Sequence, residues 1–446
     1  MKKAELNRLE GELENFLGSL LAAQGRPERR AALEEYVIGL LLDGERKSVA
    51  PMAARLADHP KEADAVRQRL QQCLAGSVWD ESEVWRRLAT KVEKEIPKVE
   101  AFVLDDTGFA KKGSKSVAVS RQYSGTLGRT DNCQVAASLH LAGEGGSACI
   151  GFRLYLPEVW TNDPERCRSV GIPEDVGFLR KWQIALALLD DALRWGLEKH
   201  IVLADAGYGE ATEFRDGLAK RGLFYVVGVP GNHHVWPPGT EVRRPSPTGR
   251  RGRPGQYWAS TKGERHLAIT ELAKDFKYRR IVWRKGSKGA QSSRFAAVHV
   301  QSAERVTHRR PPGQDLWLLC EWPQDEKSPT KFWLSNLSAQ TSLRQLVRIA
   351  KLRWRVERDY QDLKQEVGLD HFEGRTWTGF HRHALLCAVA HAFLAIRRAH
   401  FPPEGSPTLD PTPSSTRPSV RSAASARLLP SVLSAHPSPN APPGTV

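Results

Sequence analysis

The chain has 446 residues, enough for a large buried core and more than one domain, and sets 66 lysines and arginines against 51 acidic residues. The formal charge of +15 and a sequence pI near 9.6 suit a polyanionic partner such as a DNA phosphate backbone. Six cysteines (Cys73, Cys133, Cys149, Cys167, Cys320 and Cys387) form no Cys-x2-Cys pair, which argues against a disulfide framework or thiolate zinc and points to a reducing cytoplasm. With no signal peptide and no 18-residue apolar run read in the chain, no membrane partner is expected.

Residues 1–97 read as an all-helical domain, with helices near 3–23, 27–43, 49–57, 61–76 and 80–95. Tyr36–Leu42 followed by Glu45–Ala50 gives a buried helix, a basic turn and a short helix, a unit common among DNA readers. Plain helix packing is the alternative. Asp80 precedes Glu81 and Glu83 and is placed to cap the helix that carries Trp85.

Residues 98–229 give strand, strand, strand, helix, strand, helix, strand. The strands are Ala101–Asp105, Cys133–Leu141, Ala148–Leu156, His200–Ala204 and Leu223–Val229, and the helices are Gly177–Trp195 and Ala211–Arg221. Between the first two strands, Lys111, Lys112 and Lys115, then Arg121–Gly125, read as a long basic loop that holds DNA or serves as a surface lid. Residues 230–337 alternate short strands with basic, Pro/Gly-rich turns, among them Arg243–Pro254, Arg284–Lys288 and His308–Pro311. Strands are predicted at Tyr278–Arg284, Phe295–Gln301, Leu316–Cys320 and Lys331–Ser335, with six tryptophans interleaved; most belong to core or edge positions, although aromatics between arginines also suit base stacking. Residues 338–400 return to helix. Residues 401–446 hold 11 of the 28 prolines and read as a disordered tail.

Three segments carry the chemistry. Asp105 and Asp106 end a short buried strand before Thr107-Gly108, and Asp205 ends another before a glycine turn. Strand-end carboxylates over the edge of a sheet are where open α/β folds place chemistry, although a lone one is more often a turn former or cap. Alternation along a strand sends Asp105 and Asp106 to opposite faces, so one of them can join a site and the other cannot. In Leu352–Lys364, the spacing puts Arg353, Glu357 and Lys364 on one face of a helix, beside an apolar stripe of Val356, Leu363 and Val367. A carboxylate flanked by two cations suits a metal–phosphate site.

Together these residues resemble the DDE transposases of insertion sequences, in particular the cut-and-paste group with the signature Tyr-x2-Arg-x3-Glu-x6-Lys. Arg353, Glu357 and Lys364 fall on that spacing, and the tyrosine position is Ala350. Asp105–Gly108 and Gly368–His383 also look like the group. The resemblance implies an α/β fold, a ribonuclease H-like core interrupted by a β-rich insertion. It further implies Asp105, Asp205 and Glu357 as catalytic residues holding two Mg²⁺ or Mn²⁺ ions about 3.5–4 Å apart. Arg353, Lys364, Lys111, Lys112 and Arg121 would contact DNA. Trp333 lies near the strand where some relatives receive a flipped base.

His381 and Arg382 are expected to touch DNA or the Glu357 helix. His233-His234 and His381-x-His383 lack the further ligands of a metal site. The function implied is cleavage of inverted-repeat ends and joining of the freed 3′-OH ends to target DNA, by a homodimer assembled on double-stranded DNA. An inactive transposase-derived DNA-binding protein and a nuclease without strand transfer are the rivals.

Overall fold

In the computed structural model, residues 3–243, 259–286, 289–303 and 315–401 are described; the basic turns Arg243–Pro254 and His308–Pro311 and the proline-rich tail fall almost wholly outside them. Five helices open the chain: α1 (Lys3–Leu21), α2 (Pro27–Leu41), α3 (Val49–Leu56), α4 (Ala63–Ala75) and α5 (Glu81–Glu95). In α1 the buried residues Leu9, Leu13, Phe16, Leu17 and Leu20 recur three and four apart, which makes one apolar stripe. Asp80 caps α5 as predicted, accepting the Glu83 backbone N–H at 3.0 Å.

The sheet starts with β1 (Val99–Ala110), β2 (Ser120–Ser124), β3 (Arg129–Gly143) and β4 (Ser147–Leu154). Helix α6 (Lys181–Arg194), β5 (Ile201–Ala204), α7 (Thr212–Lys220) and β6 (Tyr225–Val229) follow. The central strands lie in the order β4-β3-β1-β5-β6, the first three antiparallel and β5 and β6 parallel to β1. Runs such as Ile201–Ala204 and Tyr225–Val229 are apolar throughout because helices cover both of their faces. The basic segment at Arg121 is not a loop. It forms β2 and pairs with Arg129–Cys133, with Ser124 turned inward and Arg121 and Tyr123 outward. Its alternation is polar against polar, which a hydrophobic pattern does not register.

The insertion is β-rich, as expected, but continues the core sheet. It contributes β7 (His234–Trp236), β8 (Leu267–Ala268), β9 (Arg279–Gly286), β10 (Gly289–Ser302), β11 (Leu316–Trp322) and β12 (Lys331–Ser335). β12 pairs antiparallel with β6 in the register Phe332↔Val229, so one twelve-stranded sheet runs through both parts.

Three helices close the fold: α8 (Leu343–Leu352), α9 (Trp354–Gln365) and α10 (Trp377–His400). A turn at Arg353 separates α8 from α9, so the helix predicted over Leu352–Lys364 begins at Trp354 and Arg353 stands at its N-cap. Leu346, Val347, Ile349 and Ala350 of α8 pack on Val103, Leu203 and Val226, on one face of the sheet. On the other face, Phe102, Leu104 and Val202 share one continuous cluster with α1–α6 and α10. The N-terminal helices therefore have no separate core; Phe16 meets Phe393 at 5.4 Å between ring centres. By length and composition α10 could cross a membrane, which departs from the expectation of no such run, but 89% of its apolar window is buried within the protein.

Candidate active site

Alternation in β1 decides between the adjacent aspartates. Asp105 follows Val103 onto the face covered by α8, whereas Asp106 follows Leu104 onto the opposite face and pairs with Lys181 at 2.6 Å. β1 pairs with β5 as far as Val103, so Asp105 lies just past the end of that pairing, where β1 runs on beside β3. Its Oδ1 accepts the Asp106 backbone N–H, and its Oδ2 accepts from Arg353 at 2.7 Å. Burial raises its carboxyl to about 6, against the lowering effect of the Arg353 guanidinium, and Asp205 raises it further.

Asp205 ends β5, and one oxygen accepts the Gly207 N–H at 3.0 Å, so it also caps the turn that follows. That turn needs its glycines. A Cβ on Gly209 would lie 2.0 Å from the Gly228 carbonyl oxygen on β6, so only a bare backbone fits.

Arg353 and Glu357 complete the group. Glu357 lies in the first turn of α9, its side chain 71% exposed and 3.7 Å from the Arg353 guanidinium. Burial lowers the guanidinium's affinity for its proton, but the fields of Asp105, Asp205 and Glu357 together raise it above its ordinary value. Arg353 thus bonds Asp105, lies 3.7 Å from Glu357 and stands in the field of Asp205.

A buried polar network holds α9 against β3. The imidazole of His140 donates from Nδ1 to Asp359 at 2.8 Å, because a carboxylate can only accept. Nε2 then accepts from Ser138 Oγ at 2.9 Å, and Ser138 accepts from Tyr360 at 2.6 Å. Ser147 donates to the other Asp359 oxygen at 2.7 Å, and Asp359 is held below the usual carboxylate range despite its burial. Ser138 stands directly across the ladder from Asp105, so the network fixes α9 beside the first carboxylate. The sequence reading missed it, although Asp359 and Tyr360 sit three and four residues after Val356, within the apolar stripe of the helix. Tyr208, buried near the same aspartates, also went unremarked; its hydroxyl has no hydrogen-bond partner among the described residues.

The expected DNA contacts divide. Arg121 and Lys112 are exposed. Lys364 donates to the Gly108 carbonyl at 2.9 Å and Lys111 to the Phe372 carbonyl at 2.9 Å, and burial lowers both ammonium pKa values. Trp333 is partly buried in β12, where with Trp283 and Phe295 it surrounds the Lys351 ammonium, itself paired with Glu321 at 2.5 Å.

His381 and Arg382, expected at DNA or the Glu357 helix, are bonded within the fold. His381 accepts the Leu154 N–H on β4, and Arg382 is 6% exposed and bonded to Glu81, the Leu74 carbonyl and the Ser77 carbonyl. Both clamp α10 inside the fold, a placement the charged His-Arg-His run did not reveal.

Carboxylate oxygens are hard donors, so in donor chemistry the set fits Mg²⁺ or Mn²⁺. Among the described residues the carboxylates are not close enough to one another to form a three-ligand cluster. The family described as DDE superfamily endonuclease matches residues 18–290, a span that contains Asp105 and Asp205 and ends before Glu357. The third carboxylate accordingly rests on geometry. A protein named as a probable transposase for insertion sequence element IS701, from Microchaete diplosiphon, is 31% identical over 201 residues. Those residues are 44% of this chain and 48% of the relative, so the likeness spans about half the length of each.

Proposed function

Because the chain belongs to the DDE superfamily of endonucleases, we propose that it is the transposase of an insertion sequence, cutting DNA at the element's ends and joining the 3′-OH ends to target DNA. The observation that carries this reading is the Arg353 guanidinium, bonded to Asp105 at 2.7 Å, 3.7 Å from Glu357 and in the field of Asp205. Two Mg²⁺ or Mn²⁺ ions held by these carboxylates would activate the attacking water or 3′-OH and stabilise the leaving 3′ oxygen.

The chain's own groups do the rest. Asp105 sits in β1 and Asp205 at the end of β5. Exposed Glu357 turns on the first turn of α9, and the His140–Asp359 network holds that helix in place. When the carboxylates release Arg353, its guanidinium is free to take a phosphate oxygen of the bound end, with Lys364 holding a neighbouring phosphate. Paired ends require two copies, so a homodimer forms on double-stranded DNA.

Glu357→Gln should abolish Mg²⁺-dependent cleavage of an end-containing duplex while its gel shift stays intact. A variant that still cuts at the wild-type rate would remove Glu357 from the site. Pre-cut ends with a free 3′-OH test strand transfer separately, and light scattering with and without end DNA tests the dimer. Cleavage without any joining would reduce the activity to that of a nuclease.

A further inference from the structure

We propose that a groove on the opposite face of β1 from Asp105 binds an unpaired stretch of DNA strand, with Tyr123 as the stacking platform for its bases. The proposal rests on the reading of the chain as a DNA-cutting enzyme and adds a site to it.

The groove, about 680 Å³, runs between β2 and the segment Tyr155–Val159. Arg121, Arg166 and Lys181 line it, with Tyr123 and Tyr155; exposed Glu158 stands in the chain between the lining residues Pro157 and Val159 and acts on Tyr155. Nearby Asp131 is engaged by Arg129 at 2.7 Å. Lys181 ties one end of the groove to Asp106, one residue along the chain from the first carboxylate of the site.

Its walls are fixed. The Arg166 guanidinium lies 3.8 Å from the Trp160 ring and donates to the Ser114 carbonyl, and Trp160 itself donates to the Val119 carbonyl at 2.9 Å. Tyr155 packs edge-on against Phe178, and its backbone N–H bonds Val135. Against this framework Tyr123 stands out, 62% exposed although it lies in a paired strand.

Exposed aromatic area beside the cations Arg121 and Arg166 is an arrangement that takes a single strand, since every base offers a π face and every phosphate a charge. A groove of this volume admits a short strand segment, whereas an intact duplex would only lie across its rim. The occupant is therefore the strand that separates from its partner near the cut.

The test measures binding by fluorescence anisotropy in EDTA, using a blunt end duplex, the same duplex with a short unpaired tail, and oligo-dT. Wild type should bind the tailed duplex about tenfold more tightly than the blunt one. Tyr123→Ala should erase that difference and Tyr123→Phe preserve it, while Arg121→Ala lowers the salt slope by about one. Equal affinity of wild type for tailed and blunt duplex would overturn the proposal, as would an unaffected Tyr123→Ala or equal competition by poly-glutamate. Tyr123 is exposed, so thermal denaturation should show these variants folded. Because no cleavage is read, a chain that binds tails but cuts no DNA would refute the proposed activity and leave the groove standing.

Discussion

Acid should unfold this protein before it titrates most of its carboxylates, because the fold keeps three imidazoles neutral. His383 donates to the Gly368 carbonyl from Nε2 and accepts from the Tyr36 hydroxyl at Nδ1, so both ring nitrogens are committed to the uncharged form. His381 is fixed in the same way between the Trp377 carbonyl and the Leu154 N–H. Burial lowers His381, His383 and His233 to about 4. In the unfolded chain an imidazole titrates near 6.5, so the unfolded state takes the proton first and stability falls as pH drops from 6.5 towards 4. At pH 5 each ring costs about 2 kcal/mol, about 6 for the three. Asp105 acts in the opposite sense, since its raised carboxyl takes a proton in the folded state and returns about 1 kcal/mol at pH 5.

The net loss, about 5 kcal/mol, rivals the whole stability of many proteins. Urea unfolding followed by tryptophan fluorescence at pH 7.5 and pH 5 should show it. His383→Gln supplies the same neutral donor and acceptor and should recover about 2 kcal/mol of the loss. A midpoint unchanged between the two pH values, or a glutamine variant as acid-sensitive as wild type, would refute the reasoning.

Three further outcomes are expected. Asp359→Ala leaves the buried donors of His140 and Ser147 without their acceptor and should destabilise by about 1–3 kcal/mol for each in urea titrations. Arg353→Gln removes the cation whose field acts with those of Asp105, Asp205 and Glu357, so Mn²⁺ titrated against the variant and read by electron paramagnetic resonance should bind more tightly than to wild type, while end DNA binds less tightly. Lys364→Ala should lower the salt slope of DNA binding by about one. An unchanged slope with a lower Tm would instead assign Lys364 to its internal bond with Gly108.

The sequence offered Asp105 and Asp205 as candidates because buried apolar runs precede them, and Glu357 because cations flank it at helical spacing; that β1 runs on past Asp105 to Ala110 was not legible, since polar residues follow the apolar run. The turn at Arg353 was not legible, since both halves of the segment keep helical periodicity across it. β2 escaped because its inward residues are serine and glutamine. Arg382 and His381 read as surface charge because local sequence does not show that Glu81, from 301 residues upstream, would be waiting for the guanidinium. The continuity of the insertion with the core sheet depends on β12 finding β6, a pairing that no local pattern announces.

The cluster that joins α1–α5 to α10 and the sheet has a genetic consequence. A gene copy truncated before the catalytic strands would encode helices whose apolar stripes lack the partners that cover them. Such a fragment is material for proteases and chaperones, not a stable DNA-binding remnant able to occupy element ends and block the full-length protein. Decayed copies of the gene should therefore be silent and not inhibitory, unless they retain the sheet and α10 along with the helices.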